Sequence, residues 1–121
     1  MAFHFAIDRK SDDRAVLNGR LTGRMTLGPH LLEFSKVALA AIQSHRSSAI
    51  LLDMSGVEAI DSAGLGELVI LYTAAGQSQC RLALLNPSPH IVRLLETTRL
   101  SGLLPHFHGN ESAISWIRNA H

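Results

Sequence analysis

Residues 47–54 read "SSAILLDM" and residues 60–69 read "IDSAGLGELV". The first is a short continuous apolar run bounded by polar residues, the pattern of a central strand buried on both faces of a partly parallel sheet. The second passes into helical spacing: from Gly64 onward Leu65, Leu68, Val69 and Tyr72 recur at i, i+3, i+4 and i+7, and Gly76 offers a stop. A buried strand feeding a helix that packs one face on the sheet is a unit of α/β architecture. Ser62 stands at the joint between them.

Upstream, Phe3, Phe5 and Ile7 alternate with His4 and Ala6, which predicts a strand with one buried face. The polar "DRKSDD" at 8–13 is turn chemistry leading to a second strand near 14–18, so a hairpin opens the chain. "LNGRLTGRMTLGPH" at 17–30 carries three glycines and a proline and reads as a loop. It delivers a helix over about 30–45, where Leu31, Leu32, Phe34, Val37, Ala38 and Ala41 recur at helical spacing, with Pro29 near the first turn. Downstream, "CRLALLN" at 80–86 is a strand closed by the turn "NPSP", and Ile91, Leu94 and Leu95 mark a short helix. "LLPHFH" at 103–108 predicts a last strand, and Ala113, Ile114, Trp116 and Ile117 a terminal helix capped by Asn110. Strands alternating with helices predict one α/β domain over residues 1–121, with a mixed, mostly parallel sheet, about four helices and right-handed crossovers.

The 121 residues are 46% hydrophobic and 17% charged, a globular composition long enough to bury a core without disulfide or metal staples. The net charge is +1 and the eleven Lys and Arg are scattered, so no footprint for nucleic acid or anionic lipid is visible. "AILL" at 49–52 is far too short to cross a bilayer, and "MAFHFAIDRK" lacks the pattern of a signal peptide, so a cytoplasmic protein is expected. Cys80 stands alone and reads as a small core residue. Neither a cofactor nor a metal is expected. "GLG" at 64–66 fails the dinucleotide fingerprint at Val69, and no Cys or carboxylate is spaced to complete a set with His106 and His108. Those histidines read as solvent-facing residues flanking a buried Phe107, and Glu67 as a surface acid suited to the first turns of a helix.

Ser62 invites three readings. A hydrolase nucleophile on a strand-to-helix elbow needs a glycine two residues earlier, where Ile60 stands, and no histidine lies in a local triad signature, so no catalytic residue is assigned. A serine hydrolase stays as a distant rival. As an N-cap, Ser62 would accept a hydrogen bond from an early helix N–H, a role Asp61 could share. Gly64 is about 1 kcal/mol worse than alanine inside a helix, so capping alone does not explain the stretch. With Ala63 it would leave the helix start bare of side chains, as a surface offered to a partner or a modifying enzyme would be.

"DMSGVEAIDSAGLGEL" at 53–68 resembles the signature of bacterial anti-sigma-factor antagonists, the STAS-domain family, in which a buried strand ends in D-x-S-x-V and an Asp-Ser-Ser/Thr-Gly-Leu-Gly step opens the next helix. Weaker similarity extends through "VLNGRL" at 16–21, the helix over about 30–45, and "NPSPHIVRLLETTRLSGLLPHF" at 86–107. The resemblance implies a single STAS domain in which Ser62 is phosphorylated by a cognate anti-sigma factor that is itself a serine kinase. It further implies that the unmodified surface around Asp61, Ser62, Ala63, Gly64 and Leu65 docks on that kinase and releases the sigma factor, and that a phosphatase resets the switch. Two positions depart from the pattern. Ala63 replaces the usual second Ser or Thr, and Thr22 stands where an acidic residue usually lies near the phosphoacceptor, either as part of that environment or as a plain loop residue.

The physics of such a switch is independent of the resemblance. A phosphate adds about −1.5 to −2 charges, which a helix N-terminus tolerates but a protein interface must desolvate. The alternative is a STAS scaffold that is never phosphorylated and serves as a subunit of a stress-sensing complex or as a transporter accessory.

Overall fold

The computed structural model describes residues 3–9, 16–44 and 48–118. Strand β1 (His4–Arg9) pairs antiparallel with β2 (Val16–Met25), and α1 (Pro29–Ser44), β3 (Ala49–Ile60), α2 (Ser62–Gln77) and β4 (Arg81–Leu85) follow. The chain continues through α3 (Pro89–Thr97), β5 (His106–Phe107) and α4 (Asn110–Arg118). The sheet runs β1-β2-β3-β4-β5 and is parallel from β2 onward, so α1, α2 and α3 are the crossovers between neighbouring parallel strands. This is a mixed, mostly parallel α/β fold with β3 at its centre.

Alternation along the strands divides the apolar side chains between two cores. Ile50, Leu52 and Met54 of β3 and Leu82 and Leu84 of β4 join Phe34 and Ala38 of α1, Leu68 and Leu71 of α2, and Ile91 and Leu95 of α3. The intervening Ala49, Leu51, Ala83 and Leu85 face the other way, onto Ala113 and Ile117 of α4. Both faces of β3 and β4 are therefore covered, which is why these strands read as unbroken apolar runs. Cys80 is a buried member of the larger core, and desolvation pushes its thiol up to about 11.

The stretch expected to be a loop at 17–30 is mostly strand. Leu17, Gly19, Leu21, Gly23 and Met25 all occupy buried positions of a period-two pattern. Gly19 is not a turn residue: a Cβ there would lie 2.7 Å from Leu52 Cδ2, so the glycine admits a close neighbour. Gly23, at φ 91°, sits where the β2–β3 register shifts, as at a bulge. The longer β2 carries β3 on to Ile60, past the expected end at 54, with Thr22 opposite Gly56 and Met25 opposite Ile60. The proposed turn at 10–13, and 14–15 of the second strand, lie outside the described residues.

Helix α2 runs through Gly76 and stops at Gln77 instead. Gln79 takes the left-handed conformation (φ 57°), its N–H donates to Gly76 O and the N–H of Cys80 donates to Ala75 O, a Schellman closure made without glycine. Helix α3 closes the same way through Arg99, with Leu100 N donating to Leu95 O. The last strand shrinks to two residues, so His108 lies beyond it, exposed, with its ring centroid 6.1 Å from that of the half-buried His106. Phe107 is half-buried and packs on Trp116 at 5.3 Å. Among the described residues no helix is long and apolar enough to cross a membrane, and no three potential metal ligands cluster.

Phe34, fully buried, meets Phe3 and Phe5 edge-on at 5.6 and 5.3 Å and so ties the edge strand to α1. Phe34→Ala should cost about 3–5 kcal/mol of unfolding free energy, read as a lowered urea midpoint. An unchanged midpoint would contradict this packing.

Candidate functional site

The start of α2 is built around one carboxylate. Asp61 is the N-cap in extended conformation (φ −110°, ψ −175°), and its Oδ1 accepts from Gly64 N at 2.9 Å. Its Oδ2 accepts from Leu27 N at 3.0 Å, in the loop between β2 and α1, while its own N–H donates to Met25 O at 3.4 Å. These contacts stitch the end of β2 to the end of β3 and to the mouth of α2. The Leu27 N–H first, and then the Gly64 N–H, hold the Asp61 carboxyl below the usual carboxylate range, with desolvation opposing them.

The cap is therefore Asp61 and not Ser62. Ser62 is the first helical residue, exposed, and its hydroxyl has no hydrogen-bond partner among the described residues. Ala63 beside it is half-buried. The reason for Gly64 also differs from the expected bare surface: the residue is buried, and a Cβ would fall 2.3 Å from Met25 O and 2.7 Å from Ile60 Cγ1. Only glycine lets α2 approach β2 this closely. Leu65 likewise points into the core, at 8% exposure.

Thr22 takes a place in the sheet. It belongs to β2 rather than to a loop and lies across Gly56, whose Cβ would come within 2.7 Å of Thr22 Cγ2. Met25 is three residues further along β2, about 10 Å at the rise of a strand. Two neighbours of the site had no signal in the sequence. Leu27 is 73% exposed beside Asp61, an apolar side chain left in solvent next to the candidate switch. Ser35 of α1 donates to the carboxylate of Glu67 on α2, so Glu67 is half-buried and ties two helices together instead of facing solvent as a simple surface acid.

A family model described as "Mlab, STAS domain" matches residues 8–105. No curated protein matches the chain in sequence. Among solved structures, the fold is similar to the unphosphorylated anti-sigma factor antagonist SpoIIAA (TM-score 0.71, 21% identity, 95% of this chain and 100% of that one), and to the phosphorylated form of the Bacillus protein (0.70, 20%, 93% and 99%). It is also similar to the Thermotoga maritima protein TM1081 (0.81, 23%, 93% and 95%). In the murine anion transporter Slc26a9, the likeness covers 87% of this chain but 18% of the transporter (0.75, 15% identity).

Two substitutions test the stitch. Asp61→Ala should lower stability at neutral pH by about 1 kcal/mol, the usual worth of an N-cap. Because folding lowers the Asp61 pKa, its contribution is full above the ordinary value of 3.8 and is lost as pH falls through the lower folded value. The stability gap between wild type and Asp61→Ala, followed by urea unfolding, should accordingly narrow in acid. Gly64→Ala should destabilise by about 1–3 kcal/mol through overpacking on Met25, although helix propensity alone would have it gain about 1 kcal/mol. The sign of that change separates the two accounts.

Proposed function

Since the chain belongs to the STAS-domain family, we propose that it is an anti-sigma-factor antagonist, one STAS domain over residues 1–121 acting in the cytoplasm as a binding module with no catalysis of its own. The unmodified form binds a kinase-type anti-sigma factor and releases sigma factor. Phosphorylation at Ser62 ends that binding, and a phosphatase restores it. One observation carries the reading: Ser62 presents an unengaged hydroxyl at the first position of α2 while Asp61 caps the helix. A hydroxyl so placed can be esterified without removing a hydrogen bond that the fold needs.

The docking surface we propose is centred on Asp61, Ser62 and Ala63, with exposed Leu27 as its apolar contact. Gly64 and Leu65 support it from beneath. A phosphoserine at 62 would sit at a helix N-terminus, where free N–H groups and the dipole favour an anion. Against a partner the dianion would need desolvation beside the Asp61 carboxylate, at a cost of several kcal/mol if unpaired. SpoIIAA shows that this fold exists in both phosphorylation states, with the chain resembling each to a like degree.

A second reading, an accessory subunit of a transporter, draws support from the likeness to part of Slc26a9. The two part on one experiment. Incubated with its kinase and ATP, the chain should gain one phosphate at Ser62. Ser62→Asp should lose the kinase in a pull-down while Ser62→Ala retains it. No phosphate gain from an active cognate kinase would reject the switch, and equal capture by both variants would favour the scaffold.

A further inference from the structure

At the far end of α2 from Ser62, about 21 Å along the axis at 1.5 Å per residue, a cleft of about 410 Å³ opens between the last turns of α2, the start of β4 and α4. Its volume is that of a small-molecule site. Three features of the chain leave it open. Gly76 contributes no side chain, and a Cβ there would meet nothing within 4 Å. Strand β5 pairs only with Leu84 and Leu85, so the outer edge of β4 at Leu82 has no partner strand among the described residues. Pro105, which lines the cleft just before β5, has no N–H to offer that edge.

The walls are apolar and aromatic, from Tyr72, Leu82, Trp116 and the neutral, buried thiol of Cys80. One cation stands among them. The Arg81 guanidinium lies 3.8 Å from the centroid of the Trp116 ring, and its Nη1 donates to Trp116 O at 3.1 Å. Stacking and that bond orient the plane of the guanidinium, whose fork carries five N–H donors. Among the described residues no carboxylate pairs with Arg81. A cationic fork with no carboxylate partner among the described residues, set in an aromatic wall, has the chemistry that recognises a carboxylate joined to a flat apolar body.

We infer that the cleft between α2, β4 and α4 binds a small aromatic carboxylic acid, its ring against Tyr72 and Trp116 and its carboxylate on Arg81. The site is separate from the Ser62 surface and does not depend on the partner-switching reading. A ligand there bridges α4 to α2 across the short side of the sheet.

The test uses 2-naphthoate and its neutral counterpart 2-naphthylmethanol, titrated by calorimetry and by the indole N–H resonance of Trp116, the single tryptophan of the chain. The acid should bind saturably and shift that resonance, and the alcohol should bind at least roughly tenfold more weakly. Gly76→Leu keeps a helix-compatible backbone and fills the open space, so it should abolish binding of the acid while the circular dichroism spectrum is retained. Arg81→Gln should erase the preference for acid over alcohol. Should Arg81→Gln disturb α4, the wild-type comparison and Gly76→Leu still decide the matter. No saturable binding of the acid, equal affinity for acid and alcohol, or undiminished binding by Gly76→Leu would each overturn the inference.

Discussion

The carboxylate of Asp61 is the constraint on which the junction of β2, β3 and α2 rests. It accepts one N–H from Leu27, 34 residues earlier in the loop after β2, and one from Gly64 in the first turn of α2. A carboxylate that accepts two backbone donors satisfies both at once and prefers to stay charged. The same contact sets the distance between α2 and β2, and that distance leaves no room for a Cβ at position 64. Glycine at 64 and aspartate at 61 are thus two halves of one requirement. Ser62, between them, is excused from structural duty.

Under the proposed function, that separation of roles lets the fold carry a modified residue at a helix terminus without losing its cap. Were Ser62 the cap, esterifying its hydroxyl would remove a stabilising hydrogen bond and loosen α2. With the cap next door, a phosphate at Ser62 would meet the positive end of a helix dipole and the remaining free N–H groups. The opposite end of α2 is finished differently, by a Schellman closure through Gln79, and opens on an aromatic cleft instead of a loop surface. A single helix therefore links two chemically distinct surfaces.

Much of this was legible in the sequence, and the failures have identifiable causes. A continuous apolar run located the first half of β3 and period-3.6 spacing located α1 and α2, because both faces of β3 and one face of each helix are filled with aliphatic side chains. Strand β2 was hidden by Gly19 and Gly23, which suggest turns when read alone but here serve close approach and a bulge on the buried face. The second half of β3 was hidden by Asp53, Ser55 and Glu58, which sit on partly or fully exposed positions of a strand that depends on β2 for its continuation. Pro105 foretold little of the last strand's length, yet its missing N–H fits the early end of pairing. The place of Ser62 at the joint between strand and helix was legible, whereas the choice of cap was not. Asp and Ser are comparable caps, and the contact that favours Asp61 comes from Leu27, which only the tertiary fold brings near. Thr22 was misplaced for the same reason: its row is set by pairing with Gly56.

The central claim is that Asp61 holds the start of α2 whether or not Ser62 carries a phosphate. Its most direct test is amide hydrogen exchange at Leu27 and Gly64 in a chain with phosphoserine installed at position 62, compared with the unmodified chain. The account predicts that both amides keep their protection. Loss of protection at either one on phosphorylation would contradict it, showing that the stitch and the switch are one element and not two.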